Sequence, residues 1–71
     1  MAREWLIRRR RENGFTQEKL ASMVGVSKKH ISAIERGYRN PSGHVAMRIS
    51  KVLGFDMAYF FEENRDQKDS A

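Results

Sequence analysis

The stretch from Thr16 to Gly37, TQEKLASMVGVSKKHISAIERG, carries apolar residues at helical spacing, yet a glycine sits at its centre. Thr16 stands before QEKLA, where a side-chain oxygen can accept from the open first turn of a helix, and Phe15 before it can pack on that turn. Leu20, Ala21 and Val24 then fall on one face. GVS follows, supplying a residue tolerant of positive φ and a second capping hydroxyl, Ser27. Gly25 therefore ends one helix and Ser27 starts another, set at a large angle to the first. In this third helix of the chain, residues 28–36, Ile31 and Ile34 face inward. A turn of about 100° per residue sends Lys29, Ser32, Ala33 and Arg36 to the other side.

Around this pair the chain reads as helices throughout. REWLIRRRREN, residues 3–13, lacks breakers and forms a first helix that stops before Gly14. Its apolar content is thin, and the run Arg8 to Arg11 wraps fully round the helix, so some arginines flank the core while others face water or phosphate. Gly37 closes the third helix, YRNPSG forms a loop, and residues 42–53 make a fourth helix with Val45, Ala46, Ile49, Val52 and Leu53 inward. Either Asn40, before Pro41, or Ser42 can cap it. Asp56 caps a short fifth helix, MAYFFEE, after which the polar sequence from 64 to 71 reads as a disordered tail to a single domain of residues 1–63.

Composition bounds the function. A chain of 71 residues supports one modest core, so any function lies on its surface, and binding is favoured over an enclosed catalytic cleft. Residues 1–39 hold ten Lys or Arg against four Glu, net +6, and residues 40–55 add two basic residues and no acid. From Asp56 onward two basic residues meet five acidic ones, net −3. The positive field thus belongs to the first two-thirds of the chain and calls for an anionic partner. Cysteine is absent, which excludes disulfides and thiolate metal sites, and His30 and His44 have no companion ligands, so no cofactor or metal is expected. The apolar runs are too short for a membrane span or a signal-peptide core, and the chain reads as cytoplasmic. No small-molecule ligand is evident.

The pattern TQEKLA, GVS, IS.IERG.RNPS closely resembles the helix-turn-helix family of phage repressors and Cro proteins, over residues 3–61. The ending GFDMAYFFEE looks like small single-domain repressors of phage type. The resemblance implies an all-α, five-helix, lambda-repressor-like domain that binds double-stranded DNA as a homodimer on a palindromic operator and represses transcription. Gln17 matches a residue that hydrogen-bonds phosphate from the start of the second helix. Lys28, Lys29, Ser32 and Ala33 match positions that face base edges, where lysine favours the O6 and N7 acceptors of guanine. Arg36, Arg39, Asn40 and Ser42 match a loop that grips the backbone across the groove. Arg10 and Glu35 match a pair that ties the first helix to the end of the third. Two positions depart from the pattern: Arg9 replaces an apolar core residue, and Gly43-His44 replaces an apolar-acidic helix start.

The aromatic ending carries an expectation of its own. FDMAYFF offers five apolar or aromatic side chains besides Ala58, more than one short helix can bury in its own small domain. Met57, Tyr59, Phe60 and Phe61 are therefore expected at a dimer seam, with Phe60 or Phe61 turned inward and the rest shared across the axis. A core role for Trp5, Tyr59, Phe60 and Phe61 is favoured over base stacking, because these rings are not interleaved with basic residues along a strand. The competing reading is a protein-interaction module, such as an antitoxin or adaptor, that docks through the aromatic helix. An enzyme is disfavoured, since no nucleophile, base and orienting acid share a face.

Overall fold

The computed structural model describes residues 2–62, and the tail expected over 64–71 lies outside them. Helices α1 (Glu4–Glu12), α2 (Gln17–Val24), α3 (Lys28–Arg36) and α4 (Gly43–Leu53) follow one another. A fifth, α5, runs over residues 58–62, the last described. Among the described residues there is no strand.

Local chemistry sets the boundaries of α2, α3 and α4. Thr16 Oγ1 accepts from the Lys19 amide at 3.0 Å, Ser27 Oγ from the His30 amide at 3.0 Å, and Ser42 Oγ from the Val45 amide at 3.2 Å. Each bond satisfies one of the open donors of a first turn, worth about 1 kcal/mol. Ser42, not Asn40, is thus the cap of α4. At the other end of α2, Gly25 takes φ +85°, and its amide returns to Ala21 at 2.8 Å. A Cβ here would be strained by that φ and would also lie 3.3 Å from Arg48 Nη1, which donates to the Val24 carbonyl at 3.1 Å. The sharp turn between α2 and α3 is therefore closed from outside by a side chain of α4.

Leu6, Leu20, Ala21, Val24, Ile31, Ile34, Ala46, Ile49, Leu53 and Phe60 form the buried core. Trp5, Phe15, Val26, Val45, Val52, Phe55 and Met57 pack against it half-buried. The aromatic end closes round Trp5, whose ring centroid lies 5.2 Å from Phe55, 5.4 Å from Tyr59 and 5.1 Å from Phe60. Phe60 was open to either a core or a shared position on sequence; it is 4 % exposed within its own protomer. That revises its place in the expected seam, because a ring already enclosed by Trp5, Phe55 and the core has no face to offer a partner. Tyr59, at 41 %, and Phe61, at 57 %, remain outward, with Met57 half-buried.

The four consecutive arginines of α1 fall into different surroundings, as a turn of about 100° per residue requires. Arg8 and Arg11 are exposed, while Arg10 is buried toward α3. Arg9 lies over two rings, its guanidinium carbon 5.5 Å from the Phe55 centroid and 5.3 Å from that of Tyr59. Where the resemblance implies an apolar residue, the stem and flat head of Arg9 cover the rings while the charge stays near water.

Candidate nucleic-acid interface

Helix α3 presents two unlike faces. Ile31, Ile34 and Glu35 are buried against α2 and α1, whereas Lys28, Lys29 and Arg36 are exposed and Ser32 and Ala33 are half-buried between them. The N-terminal turn of α3, free of acidic residues, carries both lysines outward. A protruding helix with long donors at its leading end and small residues behind them can approach the edges of bases without a steric block.

Glu35 holds this helix in place from beneath. It is 1 % exposed, and its carboxylate accepts from Arg10 Nε at 2.7 Å, from Arg10 Nη2 at 3.3 Å and from Gln17 Nε2 at 2.9 Å. Arg10 Nη1 also donates to the Phe15 carbonyl at 2.7 Å. One carboxylate therefore joins α1, the start of α2 and the end of α3. The charges are taken out of water, but the bonds are short and charge-assisted, and among the described residues no buried side-chain polar atom lacks a partner.

Gln17 is thereby given a fixed orientation. A carboxylate can only accept, so the atom facing Glu35 is the amide nitrogen. Its second N-H remains to point outward at the rim of an open depression lined by Arg10, Arg11, Thr16, Gln17, Glu18 and Lys28. Gln17 of α2 and Lys28 of α3 thus border the same depression. Exposed Arg11 joins them there, a position that the run of arginines in sequence does not distinguish from its neighbours.

Beyond α3 the chain turns at Gly37, with φ +81°, and the Tyr38 amide returns to Ala33 at 3.0 Å. Arg36, the last residue of α3, and Arg39, Asn40 and Ser42 of the loop that leads to α4 are exposed. Asn40 Oδ1 is taken by Arg3 Nη2 at 2.6 Å, which leaves the amide NH2 of Asn40 to donate elsewhere. Ser42 Oγ accepts as the cap of α4 and keeps its own O-H as a donor. All four residues can therefore still donate to an anion.

Three polar side chains have positions that sequence reading does not assign: Arg3, Asn13 and Arg48. Asn13 Nδ2 donates to the Arg9 carbonyl at 2.8 Å and the Leu53 carbonyl at 3.4 Å, and Arg48 supports the turn at Gly25 as described. The partners of Asn13 and Arg48 are carbonyls of helices, and a carbonyl has no sequence signature. The one available signal is a basic or amide residue placed opposite a helix C-terminus.

No described helix is long and apolar enough to cross a membrane. A helix-turn-helix family model matches residues 6–60, most of the chain and all of the elements that build this surface. The chain is 41 % identical to an uncharacterized HTH-type transcriptional regulator, YqaF, of Bacillus subtilis, over the full length of both. It is 50 % identical over 63 % of its length to an uncharacterized HTH-type transcriptional regulator of Methanothermobacter thermautotrophicus, of which it covers 65 %. It is also 34 % identical, over 78 % of its length, to the HTH-type transcriptional regulator RamB of Mycobacterium tuberculosis, of which it covers 12 %. With a two-faced α3 carried on a capped, glycine-turned pair of helices, the chain belongs to the helix-turn-helix family of transcriptional regulators, DNA-binding proteins rather than enzymes.

Proposed function

We propose that the protein is a cytoplasmic repressor that binds a palindromic operator as a homodimer and occludes a promoter. Residues 1–63 act as the DNA-binding domain. Lys28, Lys29, Ser32 and Ala33 read base edges in the major groove, and Gln17, Arg36, Arg39, Asn40 and Ser42 hold phosphates on either side. The observation that carries this reading is the exposed, acid-free leading turn of α3, standing between the start of α2 and the loop over 37–42. The dimer is supported by the outward Tyr59 and Phe61 on a helix whose segment is acidic overall, a charge that favours the side away from DNA.

Selection of bound duplexes from a random library tests the proposal. The expected winner is palindromic, with half-sites about one duplex turn, 34 to 36 Å, apart, and its affinity falls steeply with salt. A flat salt dependence, or equal competition by a scrambled duplex, overturns the reading. Within the site, Lys29→Ala is expected to cost about 1 to 3 kcal/mol on the preferred sequence and to relax base choice, whereas Arg39→Ala weakens all duplexes alike. Equal losses on specific and random DNA for both variants would remove the division between reading and gripping.

A further inference from the structure

Arg3 is charged, 7 % exposed, and adjacent to the loop that crosses from α3 to α4. Its amide donates to the Glu35 carbonyl at 2.7 Å. Its guanidinium then spans the gap between the end of α3 and the loop: Nη1 donates to the Ile34 carbonyl at 2.6 Å and the Arg39 carbonyl at 3.1 Å, and Nη2 to Asn40 Oδ1 at 2.6 Å. Behind it the Phe60 ring lies 5.8 Å away, so the head is sandwiched between an aromatic face and the loop. The same head lines a small depression with Asn40, Pro41, Ala46, Phe60 and Phe61.

We infer that Arg3 is a positioning residue for the loop that grips the DNA backbone, setting the conformation of residues 39 and 40 before DNA arrives. The inference rests on the proposed phosphate-binding role of Arg39 and Asn40. Buried as it is, Arg3 does not reach phosphate itself. It acts by holding a carbonyl and a side-chain oxygen of the loop against the end of α3, so that Arg39 and the free amide of Asn40 face outward together. Residues 37–42 contain no helical turn of their own, and a loop ordered in advance loses less freedom when it binds. The planar fork matters here, because its separate nitrogens meet acceptors that one lysine ammonium cannot reach at once.

The test is a cycle of Arg3→Lys, Arg39→Ala and the double variant in the full chain, measured on the selected duplex and on random duplex across salt concentrations. Arg3→Lys keeps the charge and removes the fork. It is expected to weaken binding about tenfold on both duplexes, with base preference retained. The log-log salt slope should become shallower by about one, the mark of a lost phosphate contact, which a loss of fold stability alone does not produce in folded protein. The two substitutions are expected to be non-additive. A folded Arg3→Lys with the original affinity and slope, or full additivity with Arg39→Ala, overturns the inference while leaving the interface reading intact. No effect of Arg39→Ala overturns both. Should Arg3→Lys not fold, Asn40→Ala removes the acceptor from the loop side; faster amide exchange at Tyr38, Arg39 and position 40 supports the inference, and unchanged exchange overturns it.

Discussion

At the α2–α3 end the helices are held by buried polar groups, whereas at the α1–α5 end they are held by aromatic rings that stay partly in water. Glu35 with Arg10 and Gln17 makes directional bonds of 2.7 to 3.3 Å, which fix the angle at which α3 leaves the body. Trp5 with Phe55, Tyr59 and Phe60 makes face and edge contacts with centroids 5.1 to 5.4 Å apart, which fill space but fix orientation less sharply. The difference follows what each end must meet. A surface that reads donors and acceptors needs its own donors in register, and a surface that meets another apolar surface needs area. Arg3 is where the ends touch, bonding the loop after α3 while lying against Phe60.

The largest expected effect breaks the polar end. Glu35→Ala leaves the Arg10 guanidinium buried without its carboxylate and frees the Gln17 amide, and the expected loss of stability is about 3 to 5 kcal/mol. In a domain whose total is of order 5 to 15 kcal/mol, that is a large share. Chemical denaturation of the variant is the measurement, and a midpoint equal to that of the parent would mean the pair contributes nothing despite its burial. Replacing Arg10 and Glu35 together with apolar residues of similar volume should cost much less, because the penalty lies in the stranded charge.

How much of this was legible in sequence depends on the range of the chemistry. Thr16, Ser27 and Gly25 announce the helix pair because a cap and a left-handed turn depend on neighbours within a few residues. Ile31, Ile34 and the outward Lys29 follow from helical period alone, whereas Lys28 is marked by the resemblance. Asn40 and Ser42 are equally good caps on paper; in the structure Ser42 is the cap, and the Asn40 oxygen is taken by Arg3, 37 residues away in the chain. In α1 the arginines are chemically identical and consecutive, so periodicity places them round the helix but cannot say which meets a carboxylate and which meets rings. Only the resemblance couples Arg10 to Glu35. Nothing in it marks Arg3 or the stacking of Arg9.

A smaller effect is expected at the aromatic end, and it should be seen in association rather than in folding. Tyr59 and Phe61 are the exposed rings of the proposed seam, and hot-spot aromatics are worth about 2 kcal/mol or more when truncated. Sedimentation of Tyr59→Ser with Phe61→Ser should show dissociation at concentrations where the parent is dimeric, with helix content retained. A folded variant that remains a dimer would move the seam elsewhere. Phe60→Ser is the contrasting substitution: with its ring inside the protomer, its damage should appear in the melting temperature even at concentrations too low for association.

The smallest effect belongs to Arg9, and it tests whether the two ends are as distinct as they look. Its guanidinium carbon lies within 5.5 Å of both the Phe55 and Tyr59 ring centroids, yet the residue is half-exposed, so solvent screens its charge. A cation over a ring at such a site is worth about 0.5 to 1 kcal/mol. If the stem and flat head serve mainly as cover for the rings, Arg9→Met should fold nearly as stably as the parent, and Arg9→Ala should lose the most. If the charge carries the contact, Arg9→Met and Arg9→Ala should lose alike, and Arg9→Lys should recover part of the loss. DNA affinity supplies the second readout, since Arg9 faces the aromatic end and not the side of α1 that borders Gln17 and Lys28. Its removal should lower non-specific affinity only through the lost long-range charge, without relaxing base preference. A loss of sequence discrimination in Arg9→Met would mean that the rings of the α1–α5 end help to orient α3.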